Sequence, residues 1–549
     1  MYGKSSNTTP LLFTTLSLRS VKAFQWFIFF FVMVGLSFST NTEVYSAAPL
    51  ALDKTGMLWG NYLEWSLSNS SYSGNPYDLE ATATFQHSSG TTITTPMFYA
   101  GNNTWKFRFT GTETGSWALT TQSSDADLNG QSGTVTITAN SDPNATGFVT
   151  QFGNKWGFSG TGEAFVPQFV MYYGPQGFYN NSAIIDNDIN TFMNQHGFNG
   201  FHVPVFCRWL EINTPACDDI GGSDPNPDQK TFEALELLIT KVHAEGGVVH
   251  LWLWGDSARQ QNPNSLPGGI NGQVDKRLQR YIAARLGPLP GWTMGYGFDL
   301  FEWVNESQLT QWQDYMQDQM GWDHYMGARS STNQLNQLSE AMDYSAYEQH
   351  KPDYDKYVET IEQRPGKPSF SEDRFRIRDG GSQSKDYNEE ETRRGLWHSA
   401  MAGGVANIWG NLVGASGANE GTDKSNSYNN PHWIKTYALF FEERFSRNLQ
   451  RCNSLTNGVC LKRLGNNHYI FYRENASSIQ LDLSQMESAQ TAIAVDTKNA
   501  YTEISLGTLA AQNQTWTAPY ASDWAVAVGD FDIPPINSSI YLPIIMVKK

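Results

Sequence analysis

Short stretches of alternating apolar and polar residues fill the first part of the chain after residue 50. Glycine, asparagine and serine separate one stretch from the next. A period of two places successive side chains on opposite faces of a strand, so that one face can be buried and the other solvated. Strands at this spacing predict a β-sandwich over residues 49–145. The clearest strands are Tyr77–Gln86, Asn103–Gly111, Gly115–Ser123 and Gly133–Ala139.

Between residues 146 and 445 the pattern changes to strands that alternate with amphipathic helices. Repeated strand–helix units predict a parallel sheet, and eight such units predict a (β/α)8 TIM barrel. A doubly wound sheet would need a glycine-rich phosphate loop after its first strand, and Tyr172–Pro175 is not one. The predicted strands are Phe165–Tyr172, Gly200–Phe206, Gly247–Trp254, Phe298–Val304, His324–Ala328, Ala341–Ala346, Pro368–Ser371 and Gly404–Trp409.

Residues 446–549 return to short alternating strands without helices between them. The fold class predicted for the whole chain is therefore α/β: a TIM barrel flanked by an N-terminal and a C-terminal β-sandwich domain. The strands that indicate the second sandwich are Asn467–Asn475, Ser478–Ser484, Ala492–Thr497 and Asp523–Gly529.

The first 48 residues have the pattern of an export signal. Basic residues precede the apolar run Trp26–Leu36, and small residues follow near Ala48. This run is shorter than the roughly 20 residues that span a bilayer, so a signal peptide is favoured over a permanent anchor. We expect a secreted or cell-envelope protein without stable membrane insertion. An uncleaved N-terminal anchor is the alternative.

The four cysteines form two close pairs, Cys207 with Cys217 and Cys452 with Cys460. In an exported protein this spacing predicts two local disulfides. A zinc site is less favoured, because no CxxC motif or nearby histidine pair accompanies them.

Charge and aromatic content narrow the possible partners. The formal net charge of −17 argues against nucleic acid, because binding to phosphate requires a basic surface. Aromatic residues make up 13% of the chain. Their rings can stack on sugars, although most of them are expected to fill cores. No metal ion or other cofactor is predicted.

Two carboxylates follow predicted barrel strands. Glu306, in the step Asn305-Glu306, follows the fourth strand, and Glu372 ends the seventh. Residues at the C-terminal ends of barrel strands share one mouth, and glycoside hydrolysis requires a pair of carboxylates there. Glu302 and Asp373 are the competing residues in the two segments.

This arrangement resembles the clan A retaining glycoside hydrolases, with Trp409 at the end of strand eight as a third point of similarity. The resemblance implies that Glu306 is the acid/base and Glu372 the nucleophile. It also implies that Asn305 holds the sugar 2-hydroxyl and that Trp409 forms the floor of the first subsite. Tyr344 or Tyr347, on strand six, would approach the nucleophile.

The flanking domains extend the resemblance. The sequence of residues 77–137 resembles that of a small sandwich domain that precedes many bacterial glycosidase barrels. The barrel together with the C-terminal sandwich resembles the apiosidase-like group of bacterial glycosidases.

One departure concerns strand two, where the clan usually has an arginine that orients the nucleophile. Here His202 stands at that place and Arg208 lies further along, so either residue could fill the role. On strand three, Trp254 and Asp256 could supply an aromatic platform and a carboxylate that binds sugar hydroxyls. Core packing is an equal alternative for Trp254, and His250 is expected to be a core histidine.

The predicted function is hydrolysis of O-glycosidic bonds in a poly- or oligosaccharide by double displacement, with retention of configuration and without a cofactor. Two alternatives stay open. One is a non-catalytic polysaccharide-binding protein that keeps the barrel as a scaffold, because fold alone does not fix function. The other is a polysaccharide lyase, which would need a tyrosine or histidine base at the mouth.

Overall fold

The structure is a computed structural model. The predicted export segment, residues 1–48, lies outside the described residues. For residues 329, 373–377, 386 and 387 only the backbone is described. The described residues are 52–220, 224–329, 341–347, 349, 351–377, 386–410, 428–463, 467–529 and 531.

Eight strands form the N-terminal domain. They are β1 (Lys54–Met57), β2 (Leu63–Ser68), β3 (Ala81–His87), β4 (Thr92–Pro96), β5 (Phe98–Tyr99), β6 (Thr104–Phe109), β7 (Gly115–Ser123) and β8 (Ser132–Thr138). One sheet has the order β1-β8-β7-β3-β4 and the other has the order β2-β6-β5. Alternate residues of the two sheets meet in one aromatic core that includes Trp65, Phe85, Phe107 and Trp117, which makes this domain a β-sandwich.

A small antiparallel sheet follows, formed by β9 (Val149–Phe152), β10 (Lys155–Phe158) and β11 (Ala164–Phe165). Trp156 in β10 packs against the rings of Tyr325, Tyr344 and Phe370. Its indole nitrogen donates to the carbonyl of Ser369, at the start of a barrel strand (3.1 Å). This sheet therefore covers the amino-terminal end of the barrel.

Eight parallel strands form the closed barrel, and a ninth short strand, β19 (Asp386–Tyr387), pairs in parallel with the end of one of them. The barrel strands are β12 (Gln168–Met171), β13 (Gly200–Pro204), β14 (Val248–Trp254), β15 (Trp292–Gly297), β16 (Met326–Arg329), β17 (Tyr344–Tyr347), β18 (Ser369–Ile377) and β20 (Ala406–Trp409). The ring closes because β18 pairs with both β17 and β20, and β20 pairs with β12. The predicted TIM barrel is thus confirmed.

The helices lie outside the barrel. They are α1 (Ser182–Asp188), α2 (Gln229–Ala244), α3 (Gln273–Leu286), α4 (Glu306–Gln319), α5 (Tyr354–Gln363), α6 (Glu389–Ala402) and α7 (Pro431–Phe441), and a π-helical segment, Ile189–His196, continues α1. Both α4 and α6 begin with a capping box, formed by Asn305 with Gln308 and by Asn388 with Glu391. Such boxes satisfy backbone N–H groups that a helix start leaves without partners.

The fourth barrel strand differs from its prediction. It runs over Trp292–Gly297, and the predicted strand Phe298–Val304 was wrong, whereas the other seven predicted strands overlap the observed ones. Asp299 has φ of 51°, a left-handed conformation that an extended strand does not contain. A 3-10 turn, Leu300–Glu302, follows it.

The C-terminal domain consists of β21 (Leu449–Arg451), β22 (Val459–Arg463), β23 (Tyr469–Asp482), β24 (Gln490–Asp496), β25 (Ile504–Leu509) and β26 (Asn513–Val528). These strands form one antiparallel sheet in the order β21-β22-β23-β26-β24-β25. Bulges near Ala476 interrupt the pairing of the two longest strands, and a bulge bends the strand that carries it. Ile479, Leu481 and Trp524 are part of the core of this domain.

Two disulfides join Cys207 to Cys217 and Cys452 to Cys460, as the spacing predicted. They fit a protein that folds in an oxidising compartment. Within the described ranges, no helix combines the length and the apolar character needed to cross a membrane.

A buried ion cluster connects the N-terminal sandwich to the outer helices of the barrel. Glu236 on α2 accepts from Arg285 on α3 at 2.5 Å, and it lies 2.9 Å from the guanidinium of Arg108 on β6. Arg108 also pairs with Glu64 (2.8 Å). All three residues of the central pairings are buried, so each charge depends on the others for compensation.

We expect Glu236→Gln to lower the free energy of unfolding by about 3–5 kcal/mol, because removal of one partner leaves buried charge uncompensated. Urea denaturation of the purified protein measures this loss. Glu233→Gln is the matched control, since Glu233 lies exposed on the same helix. Equal stability of the two variants would contradict the importance of the cluster.

Candidate active site

Glu372 is a fully buried carboxylate inside the barrel. It lies in β18, where the pairing with β20 shifts its register between Ser371 and Arg374. Ser371 pairs with Tyr347, the last residue of β17, so Glu372 stands at the carboxyl end of the neighbouring strand. A bulge can turn a side chain toward a site in this way.

One oxygen of Glu372 receives three potential donors. The indole nitrogen of Trp252 donates to Oε1 (2.9 Å), the Tyr344 hydroxyl donates to it (3.2 Å), and Nε2 of His250 lies 3.2 Å away. The other oxygen, Oε2, is buried and has no hydrogen-bond partner in the part of the chain that the structure describes. The two oxygens therefore differ: Oε1 is held by donors, and Oε2 has no partner among the described residues.

The glycine at position 295 makes room for this carboxylate. A β-carbon on Gly295 would lie 1.7 Å from Oε1 of Glu372 and 3.0 Å from the Trp252 ring. Any other residue at this place in β15 would displace the carboxylate. Gly295 is thus a steric requirement of the site rather than a flexible joint.

The groups around Glu372 are neutral donors. Burial, followed by the charge of Glu372, raises the pKa of the Tyr344 hydroxyl well above its ordinary value. Burial lowers the pKa of His250, although the hydrogen bond and the charge of Glu372 oppose this shift. Tyr344 therefore keeps its proton, and His250 is neutral near pH 7.

Aromatic rings line the barrel mouth beside Glu372. Phe298, directly after β15, contacts the rings of Trp252 (centroids 4.9 Å apart) and Phe206 (5.6 Å). Phe206 has φ of 57°, which is rare for a bulky side chain. Strained backbone of this kind is concentrated at functional sites. Phe206 and Trp252 are buried, and Phe298 is the partly exposed member of this group.

The structure does not place Asn305 and Glu306 at the end of a barrel strand. Strand four ends at Gly297, and Glu306 begins α4 in an exposed position. Asn305 is also exposed, and its side chain accepts from the backbone of Gln308 as the N-cap of this helix. The predicted strand position of both residues was therefore wrong. No hydrogen bond or ion pair between the described side chains joins Glu306 to Glu372.

The competing residues fall in two different places. Glu302 is exposed in the 3-10 turn that follows strand four. The side chain of Asp373 lies outside the described residues.

Two aromatic residues predicted for the site point away from the barrel interior. Trp409 is buried among the outer helices, where its indole nitrogen donates to Gln168 (2.6 Å). Tyr347 packs with Tyr357 and Ile361 of α5, and its hydroxyl donates to Gln349. The placement of Trp409 at the sugar was wrong, because alternate residues of a barrel strand face outward. Of the two predicted tyrosines, Tyr344 is the one that the structure brings to Glu372.

The predicted site residues of strands two and three also lie in different places, some facing the barrel interior and others not. His202 faces the interior and contacts His250. Trp254 packs between the barrel and the outer helices, so it is a core residue rather than a platform for a sugar.

Asp256 is nearly buried and pairs with Arg259 in its own loop. Arg208 is part of a short 3-10 helix after strand two, with its guanidinium close to Gly174.

His250 and Trp252 contact Glu372, although neither residue was predicted to be part of the site. A signal was present, because Val248, His250 and Trp252 alternate along a predicted strand and share one face. Both His250 and Trp252 have ring nitrogens that can form hydrogen bonds. Two such side chains on the inward face of a barrel strand indicate a site rather than packing alone.

Comparison with known proteins supports the fold. Residues 58–124 match a family model described as a domain of unknown function, DUF5060. No curated protein matches the chain.

Solved structures of glycoside hydrolases have a similar fold. A candidate glycoside hydrolase from Bacteroides vulgatus has 16% identity and a TM-score of 0.67, covering 87% of this chain and 99% of the other. A glycoside hydrolase family 5 protein from the same organism has 13% identity and a TM-score of 0.51, covering 72% and 96%. A further glycoside hydrolase has 12% identity and a TM-score of 0.52, covering 71% and 99%. At these identities the similarity shows a shared fold.

We expect Glu372→Gln to raise the free energy of unfolding by about 1 kcal/mol. The wild-type protein buries a carboxylate among neutral donors, and a buried charge without a cationic partner costs more than a neutral amide of the same shape. Gln keeps the shape of the side chain and an oxygen that can accept from Trp252. Thermal unfolding measures the change, with Glu306→Gln as an exposed control. A lower melting temperature for Glu372→Gln would show that Glu372 has a structural role.

Proposed function

We propose that the protein is a retaining glycoside hydrolase that acts on a poly- or oligosaccharide, with Glu372 as its nucleophile. The observation that carries the proposal is the asymmetric carboxylate at the carboxyl end of barrel strand seven. Donors hold its Oε1, and its Oε2 has no partner among the described residues. Chemistry in this fold is located at that end of the strands.

The proposed reaction has two displacements. Oε2 of Glu372 attacks the anomeric carbon, the glycosidic bond breaks, and a covalent glycosyl-enzyme forms. The bonds from Trp252 and Tyr344 to Oε1 fix the carboxylate before the attack, so that no reorientation is needed during the reaction. The rings of Phe206 and Phe298 would support the apolar face of the sugar. Water then releases the sugar from Glu372.

The proton donor is proposed in the segment that follows strand four. This segment starts next to the nucleophile, since Gly295 lies under Glu372 and the Phe298 ring contacts Trp252. Glu306 is our proposed acid/base, and Glu302 is its competitor. Both are exposed, so bound substrate would have to shield the acid from water. We also propose that the protein is similar to the clan A enzymes, and that its barrel and C-terminal domain together are similar to the apiosidase-like group.

The polysaccharide lyase alternative has less support. Its base would have to be a tyrosine or histidine at the mouth, and Tyr344 is the tyrosine that contacts Glu372. The pKa of Tyr344 is held well above its ordinary value by burial and by Glu372, which makes it a poor base.

Glu372→Gln should lower kcat by about 1,000-fold or more on any glycan that the wild-type enzyme cleaves, because the amide cannot form the glycosyl-enzyme. A panel of neutral and charged polysaccharides with product analysis identifies that glycan, and NMR of the first product shows whether the anomeric configuration is retained. Binding without products in the wild-type protein would support the non-catalytic alternative. Unsaturated products that absorb in the ultraviolet would support the lyase.

Glu306→Gln and Glu302→Gln separate the two candidate acids. Loss of the true acid should slow cleavage of a natural glycan by about 100- to 10,000-fold, and it should slow cleavage of an aryl glycoside with an acidic leaving group much less. The other variant should behave like the wild-type protein on both substrates. Unchanged turnover in both variants would exclude both residues as the proton donor.

A further inference from the structure

His202 and His250 form a direct pair inside the barrel. They stand opposite each other in the register of β13 and β14, and both are fully buried. The two Nδ1 atoms are 2.6 Å apart. Since each Nδ1 can either donate or accept, this contact needs one proton, which belongs to one of the two rings.

Aromatic neighbours fix the orientation of both rings. The Phe169 ring lies nearly parallel to His250 (18°, centroids 5.7 Å apart), and Phe370 meets it edge-on at 4.7 Å. Trp252 packs edge-on against His202 at 4.2 Å. The imidazoles therefore cannot turn away from each other without disturbing the core of the barrel.

The opposite side of His250 determines which ring carries the shared proton. Its Nε2 lies 3.1 Å from the Tyr344 hydroxyl and 3.2 Å from Oε1 of Glu372. With the proton on Nε2, His250 donates toward Glu372 and its Nδ1 accepts from His202. With the proton on Nδ1, the Nε2 lone pair would face a carboxylate oxygen and would draw the Tyr344 proton away from Glu372. In the first arrangement His250, Trp252 and the Tyr344 hydroxyl can all donate to Oε1, with the Met294 carbonyl as a second acceptor for that hydroxyl (3.1 Å). In the second arrangement the donor on His250 is lost.

We propose that His202 is a positioning residue for Glu372: its Nδ1–H donates to Nδ1 of His250 and thereby holds His250 as the Nε2–H tautomer. This proposal rests on the proposed function, in which Glu372 is the nucleophile. His250 in that form, together with Trp252 and Tyr344, keeps Oε1 hydrogen-bonded and directs Oε2 to the sugar. His202 touches neither Glu372 nor the substrate and acts through His250. In metal sites, a residue that bonds to the second ring nitrogen of a metal-bound histidine fixes the tautomer of that ring in the same way.

Two variants of His202 test this role. His202→Leu fills a similar volume and has no donor, whereas His202→Asn is smaller and has an amide nitrogen that can donate near the position of Nδ1. We expect kcat to fall about 10- to 100-fold in the leucine variant, with KM changed less than about threefold. The asparagine variant should recover most of the activity. Because Asn is the poorer match in volume, its recovery cannot arise from packing.

A spectroscopic measurement reports on the tautomer without any substrate. Ring nitrogen NMR shifts of histidine-labelled protein should show His250 as the Nε2–H tautomer in the wild type and in His202→Asn, with the signal assigned by its loss in His250→Gln. In His202→Leu we expect the Nδ1–H form to appear. Thermal unfolding verifies that each variant is folded.

Three results would overturn the positioning role: wild-type His250 in the Nδ1–H or imidazolium form, a leucine variant with kcat within twofold of the wild type, or an asparagine variant as slow as the leucine variant. The failure of the proposed function has a different outcome. In that case no protein, wild type included, cleaves any glycan, although the NMR shifts are as expected. Activity that Glu372→Gln abolishes and His202→Leu leaves intact would remove only the role of His202.

Discussion

The burial of one carboxylate in a closed parallel barrel is the constraint on which the rest of the site depends. Glu372 has no exposed surface, so donors on neighbouring strands must replace the water it loses. Trp252 and Tyr344 supply these donors from strands three and six, and Gly295 on strand four leaves the volume that the carboxylate fills. A single residue of strand seven therefore explains the identities of residues on three other strands.

This compensation is incomplete, which fits the proposed role of Glu372 as a nucleophile. A structural buried carboxylate would have partners on both oxygens, usually including a basic side chain. Here the donors are neutral, they converge on Oε1, and Oε2 has no partner among the residues described. An anion held by neutral groups keeps more of its nucleophilic character than one paired with arginine. Proteins retain such costly arrangements mainly where they serve a function.

The sequence was sufficient for the barrel, the flanking β domains and both disulfides, because these depend on periodicity and short-range spacing. The expectation of a strand-six tyrosine near Glu372 came from the resemblance to clan A enzymes, which left Tyr344 and Tyr347 open. The sequence failed at strand four. Gly295 and Gly297 interrupt the alternation there, because Glu372 occupies the space of a side chain at the first and the Trp254 backbone does so at the second. The more regular segment after them resembles a strand. Trp409, which the resemblance placed at the sugar, faces outward, and core packing is the one of the two alternatives for Trp254 that the structure shows. A buried strand is apolar on both faces, so its pattern does not show which face is inward.

The error at strand four has a mechanistic consequence. A side chain at the end of that strand would meet the sugar from a fixed position beside the nucleophile, and the structure has Gly297 and the Phe298 ring there. A proton donor from Glu302 or Glu306 would instead come from a turn or a helix start, exposed until a substrate covers it. The two proposed catalytic groups would then differ in their dependence on the substrate. The proposed nucleophile would be prepared by the protein alone, whereas the proposed acid would acquire its dry surroundings from the glycan, so that specificity for the leaving group would reside in the segment after strand four.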